Sequence, residues 1–223
     1  MVLSHTWLAG REEEMTHTNH RRGTMESLAT DYIFVTMAAR GFNVEGTAPH
    51  MKRFYEIVMR HNPTFVGDAA KGNQLTIGIK AMLEESEDRT IGHAVYRDTD
   101  SVAAVLKELA EAGFERSVVV SGLFDHVKEC CDKAGLGTPH TIEYSLGTWG
   151  ATEKMKPMAE LEVMTMCGHA QVPGQLVRHM AAELKAGRIS AEEAGNRLGR
   201  QCTCGIFNTA RAAELVTAMA AQA

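Results

Sequence analysis

Residues 91–120 read IGHAVYRDTDSVAAVLKELAEAGFERSVVV, and this stretch decides the fold. Ile91 to Tyr96 is a short apolar run with aromatic and β-branched members, the composition of a buried strand. Asp98 or Thr99 caps the helix that follows. It carries Val102, Val105, Leu106 and Leu109 on one face, and Gly113 closes it. Ser117-Val118-Val119-Val120 is a second strand. Strand, amphipathic helix, strand is a βαβ unit, which predicts a mostly parallel sheet.

The same alternation extends outward on both sides. Tyr32 to Met37 reads as a buried strand ended by Arg40-Gly41. Pro49 sits in the first turn of a helix with Met51, Phe54, Ile57 and Val58 on one side, and Asn62-Pro63 stops it. Thr64-Phe65-Val66 is a short strand, 67–73 a loop, and Leu75 to Glu85 a helix. Past Val120, Gly122 turns the chain into a helix from Phe124 to about Lys133, closed by Gly135. Thr141 to Leu146 reads as a further strand. The expected fold is therefore α/β over residues 25–150, with a small parallel or mixed sheet and flanking helices. Sites in such sheets lie beyond the carboxyl ends of the strands.

Residues 1–24 are polar, with His5, His17, His20 and the pair Arg21-Arg22, and read as a disordered leader; Met15 and Met25 are alternative starts. Residues 151–223 read as a helical module. Leu161 to Met166 alternates apolar and polar, which suggests a short strand or extended segment running into Cys167. Pro173 opens a helix through Leu176, Val177, Met180 and Leu184. Ser190 and Glu193 form a capping box for the next helix, ended at Gly199. Asn208 caps a last helix, Thr209 to Met219.

The 223 residues are enough for one good core or a core with a small appended module. With 44% hydrophobic and 23% charged residues, the composition is that of a globular chain. The net charge of −5 offers no basic surplus for nucleic acid, and no Lys/Arg block suits an anionic membrane. There is no apolar run long enough for a transmembrane helix and no signal-peptide core near the start. The expected location is cytoplasmic, where cysteines serve metal or redox chemistry more often than structural disulfides.

Of the five cysteines, three lie in two glycine-containing clusters, Cys167-Gly168-His169 and Cys202-Thr203-Cys204-Gly205. The helix from Pro173 and the helix from Ser190 form an αα-hairpin, which returns the chain toward its starting level and brings the clusters together. Both clusters are expected just ahead of helix starts, where backbone N–H groups favour thiolate. Three cysteines and a histidine suit a Cys3His zinc site. They also suit a [4Fe–4S] cluster held by Cys167, Cys202 and Cys204, with His169 or an open position at the fourth iron. The one-residue gaps in C-x-H and C-x-C are short for two ligands on one small ion, so the cluster is favoured. Cys-Gly-His also resembles the acid/base cysteine segment of proline-racemase-like enzymes, over three or four residues only, and implies no role here.

The expected function is that of a metalloenzyme acting on a small polar or anionic substrate, by lyase, dehydratase or desulfidase chemistry or by reduction. In it His169 is the fourth ligand or the general acid/base. Lys71, in the loop of residues 67–73, and Trp149, at a strand end, are the candidate substrate contacts. The alternatives are a metal or iron–sulfur carrier or accessory protein, and a zinc-stabilised binding domain. A homo-oligomer or a partner enzyme fits either. His126 and Cys130, four apart on one helix, read as a packed helix face.

Overall fold

The computed structural model describes residues 20–139, 141–143 and 147–222. Its five strands are β1 (Tyr32–Met37), β2 (Phe65–Asp68), β3 (Gly72–Asn73), β4 (Gly92–Tyr96) and β5 (Ser117–Ser121). The helices in the first part are α1 (Met25–Leu28), α2 (Ala48–Arg60), α3 (Ile79–Glu84), α4 (Thr99–Glu111) and α5 (Phe124–Lys133). Then follow α6 (Met158–Met164), α7 (Gly174–Lys185), α8 (Ala191–Gly199) and α9 (Thr209–Gln222).

The strand order is β3-β2-β4-β1-β5, and every neighbouring pair is antiparallel. This corrects the parallel sheet expected from the sequence, and the reason is interleaving. β4 and β5 do run the same way, as a helical crossover requires, but β1 lies between them and antiparallel to both. β1 and β2 likewise run the same way around α2, with β4 between them. Two split βαβ units are thus threaded through each other, the ferredoxin-like order with β3 added at one edge. Periodicity fixes the direction of each crossover but not which strand fills the gap.

Side chains alternate across the sheet. Tyr32, Phe34, Val66, Ala94 and Tyr96 face one way, into a core with Met51, Phe54, Ile57 and Val58 of α2 and Val102, Val105 and Leu106 of α4. Ile33, Phe65 and Val95 face the other way. There they meet Val163, Val177, Met180, Leu198, Phe207 and Val216 of the C-terminal helices and the loop before α9. An antiparallel sheet can leave one face to water. Here α6–α9 cover that face, and the candidate site lies beneath them.

Local signals explain most elements. The Asp98 side chain accepts the Ser101 N–H at 2.7 Å and caps α4; Ser190 does the same for Glu193 at α8. Asn208 Oδ1 accepts the Arg211 N–H and starts α9. Pro49 lies in the first turn of α2. Three sequence expectations change. Leu161 to Met166 is not a strand: residues through Met164 belong to α6, with Glu160 and Val163 buried one helical turn apart. Six alternating residues are too few to separate a period of 2 from one of 3.6. Part of the expected 67–73 loop is a β2–β3 hairpin. Residues 141–143 lie in no strand, and 144–146 of that expected strand lie outside the described residues.

The expected leader is also revised where it is described. Arg21 Nε donates to Asp31 at 2.6 Å, and its guanidinium also reaches the Ile206 carbonyl. The Arg22 amide donates to Thr165 Oγ1 at 3.0 Å. Arg211 donates to the same Asp31 carboxylate at 2.9 Å and to the Arg22 carbonyl at 2.7 Å. His5 and His17 lie outside the described residues. Among the described residues, no helix is long and apolar enough to cross a membrane.

Candidate functional site

The site begins with a glycine pair. Gly67 of β2 points toward the C-terminal helices, and Gly205, at φ +77°, lies flat against it. A Cβ on Gly67 would stand 2.3 Å from the Cys204 carbonyl oxygen, and one on Gly205 would stand 2.5 Å from Gly67 Cα. Only two glycines allow this backbone-on-backbone contact. Polar groups then fix the loop. Asn73 Nδ2 donates to the Cys202 carbonyl at 2.9 Å, and His93 Nδ1 lies 2.8 Å from the Cys204 carbonyl. A carbonyl only accepts, so His93 carries its proton on Nδ1. The Tyr55 hydroxyl donates to the Gly67 carbonyl from the opposite face at 3.0 Å.

The other cluster follows α6. Ala170, at φ +56°, is a non-glycine residue in the left-handed region, directly between His169 and Gln171. That conformation costs about 1–2 kcal/mol for an L-residue. Gln171 Oε1 accepts the Thr203 N–H at 3.1 Å and stands 4.0 Å from Cys167 Sγ, so one exposed side chain spans both clusters.

The αα-hairpin of α7 and α8 brings the two clusters together, as the sequence predicted. Cys202 Sγ lies 3.9 Å from Cys204 Sγ, and Cys204 Sγ lies 3.7 Å from His169 Nδ1. The Cys202 side chain is the largest influence on the acidity of Cys167. All three cysteines are fully buried and none is in a disulfide. The side-chain contacts run from Cys202 to Cys204 to His169, and Gln171 links Cys167 to the same loop. Among the described residues, no three or more His, Cys, Asp or Glu side chains converge so that they could hold a metal ion as they stand.

The thiols differ in acidity. The Cys202 side chain, together with burial, pushes Cys167 far above the usual thiol range. At Cys202 the Cys167 thiol favours thiolate, but contact with Cys204 and burial outweigh it and push the group up to about 12. Contact with the Cys202 thiol holds Cys204 below the usual value, and this outweighs burial. Of the three thiols, only Cys204 is shifted toward thiolate. The helix-start explanation for thiolate is not what the fold uses. Residues 205–208 separate Cys204 from α9, and the Asn208 side chain takes the N–H of Arg211.

The other expected contacts are Lys71 and Trp149. Lys71 is paired with Glu87 at 2.8 Å and donates to the Glu85 carbonyl. The N–H groups of Ala70 and Lys71 both go to Asp68 Oδ1, so the hairpin's own aspartate fills the cradle proposed for an anion. Trp149 is largely exposed. Cys130 is buried on α5 and donates to the Thr99 carbonyl, while His126 meets the Tyr32 hydroxyl at 2.6 Å. That helix face is packed, as expected. Two open surface hollows of about 400 Å³ are lined by Ala48, Ser86, Asp88 and Arg89, and by Ala191, Ala213, Glu214 and Thr217; no cysteine lines either.

His93 and Gln171 lie at the candidate site and were not singled out from the sequence, and Gly67 and Asn73 were read only as the ends of a candidate anion loop. A histidine in the middle of a buried strand was the one available signal. The others depend on register and on how the loop docks. No protein-family model, curated protein or solved structure matches the chain.

Proposed function

We propose that Cys167, Cys202, Cys204 and His169 form the donor set of a metal centre that joins residues 151–223 to the sheet. The observation that carries this reading is three fully buried thiols on two clusters that meet, with Cys202, Cys204 and His169 in contact. The 3.9 and 3.7 Å steps of that contact are near the ligand separations of about 3.5–3.8 Å that zinc–sulfur bonds of about 2.3 Å and zinc–nitrogen bonds of about 2.0 Å produce in a tetrahedron. Three adjacent buried thiols are poor packing for an apolar core, and a cation would remove the mutual penalty on ionising them. A bound ion of this kind would supply folding free energy. Full burial of the three thiols favours a held ion over one exposed to solvent.

A second reading is a [4Fe–4S] enzyme acting on a small polar or anionic substrate, with His169 as ligand or acid/base. One observation favours it: the donors do not converge on a point, and ligands of separate irons need not. The close Cys202–Cys204 pair weighs against it. In either reading the Gln171 side chain is the part of the site nearest water.

The test is anaerobic purification of the full chain, with metal analysis and a visible spectrum. One zinc per chain in a colourless protein supports the single ion; a brown protein with iron and sulfide supports the cluster. Substoichiometric metal of every kind, or a metal content untouched by Cys202→Ser, overturns the proposal.

A further inference from the structure

The two edges of the sheet are finished differently. At one, β3 is two residues long, and Asn73 ties it to the Cys202 loop. Short length and a covering segment are ordinary ways to close an edge. At the other, β5 runs Ser117-Val118-Val119-Val120-Ser121. It has no charge, no proline and no bulge, and all five residues pair with β1 in unbroken register. Among the described residues nothing pairs with its outer edge. Val119 is 54% exposed, and Met37 beside it is 40% exposed.

The residues of β5 read the same in both directions. Antiparallel pairing with a second copy, centred on Val119, sets Val119 opposite itself, Val118 opposite Val120 and Ser117 opposite Ser121. Each apolar side chain meets an apolar one and each serine meets a serine, which are the cross-strand pairs that stabilise sheets. The pleat keeps both Val119 side chains on one face, where they shield each other. Such a contact is isologous: it closes on two copies and leaves no further β5 edge open. A strand of unrelated sequence would match the backbone but not this symmetry.

We infer that the chain pairs with a second copy of itself through β5, joining the two sheets into one continuous antiparallel sheet. The inference rests on the sheet edge alone and stands or falls separately from the metal centre.

Sedimentation velocity of the full chain over a concentration series tests it. The wild type is expected at twice the chain mass at high micromolar concentration. Val119→Lys, which places two ammonium groups opposite each other on the axis, is expected at the chain mass. Val119→Thr, uncharged and β-branched, is expected to keep the double mass. A wild type that stays at the chain mass overturns the inference, as does a Val119→Lys variant that keeps the double mass. Should Val119→Lys fail to fold, wild-type amide exchange decides. Protection of the outward-pointing β5 amides, those not bonded to β1, that rises with concentration supports the pairing, and protection of those amides independent of concentration refutes it.

Discussion

The two faces of the sheet are packed by different rules. The face toward α2 and α4 is an apolar core with aromatic pairs such as Phe34–Tyr96, edge-on at 5.6 Å between centroids. Its ion pairs lie at the rim; Glu108, which meets Arg60 and His61, is part-exposed. The face toward α6–α9 carries the thiols, the imidazoles of His93 and His169, a glycine-on-glycine contact and a buried two-arginine cluster on Asp31. Side chains on the first face are expected to adjust to change. The second is held by a backbone-on-backbone contact and the Asp31 charge cluster, which are expected to adjust less.

The largest expected difference lies in the ion pairs. Asp31 has no exposed side-chain surface, and both Arg21 and Arg211 depend on its carboxylate. Asp31→Ala leaves two guanidinium groups without their anion, and a cost of about 3–5 kcal/mol is expected in urea unfolding. Glu108→Gln, at the rim of the other face, is expected to cost less than about 1 kcal/mol. Equal losses would remove the distinction between the faces.

The glycines give the next contrast. Gly205→Ala combines a left-handed backbone with a Cβ that meets the Gly67 backbone, and about 3 kcal/mol is expected. Gly92→Ala on the α2 face brings its Cβ to 2.5 Å from Met51 Cε, the mobile end of a flexible side chain, and also against Phe54. About 1 kcal/mol is expected there. Chemical unfolding of the two variants, with metal content measured for Gly205→Ala, checks both numbers. A Gly92→Ala cost as large as that of Gly205→Ala would mean that the α2 face is no more adaptable.

These contrasts mark what the sequence could and could not convey. Caps, closing glycines and the apolar stripes of α2, α4 and α7 are local, and were legible to within a few residues. The meeting of Cys167, His169, Cys202 and Cys204 was legible because an αα-hairpin has predictable length. Strand order was not legible, since placing β1 between β4 and β5 is a tertiary choice that leaves no periodic trace. Nor was Gly67 as part of the site: a glycine near a strand end signals a turn as readily as a docking surface. Arg21 and Arg22 looked like a loose polar leader because their partners, Asp31, Thr165, Ile206 and Arg211, are remote in sequence or belong to other elements.

A smaller effect should appear at Ala170. Its left-handed backbone is strained by about 1–2 kcal/mol, and glycine relieves that strain while adding about 0.5–1 kcal/mol of chain entropy to the unfolded state. Ala170→Gly is therefore expected to stabilise the fold by up to about 1 kcal/mol in thermal or urea unfolding. Among the described residues, the two non-glycine positions with positive φ, Asn62 and Ala170, fall on opposite sides of the comparison. Asn62 follows α2, where asparagine is well suited to the left-handed region. Ala170 lies between His169 and Gln171, in the segment that places one donor and spans both clusters. If Ala170→Gly instead destabilises the protein, the positive φ is being held by contacts that depend on the Ala170 methyl group.

The smallest expected effect is a pH dependence at the start of α2. Asp88 accepts the N–H of Gly46 at 2.8 Å and of Ala48 at 2.7 Å, and these bonds hold its carboxyl below the usual 3.8. A carboxyl with a lowered folded pKa contributes stability that is fully present above its unfolded value. That contribution declines as pH falls from the unfolded value through the folded one. Asp88→Asn keeps an acceptor oxygen for an N–H but removes the charge. Its melting temperature should lie below that of the wild type at neutral pH, and the gap should close as pH drops below 3.8. The sign follows because only the wild type loses a charge-assisted bond over that range. A gap that stays constant down to the acid limit would show that Asp88 acts through shape rather than charge, and would leave the start of α2 anchored by the Arg116 bonds to Thr47 and to the Asp88 carbonyl.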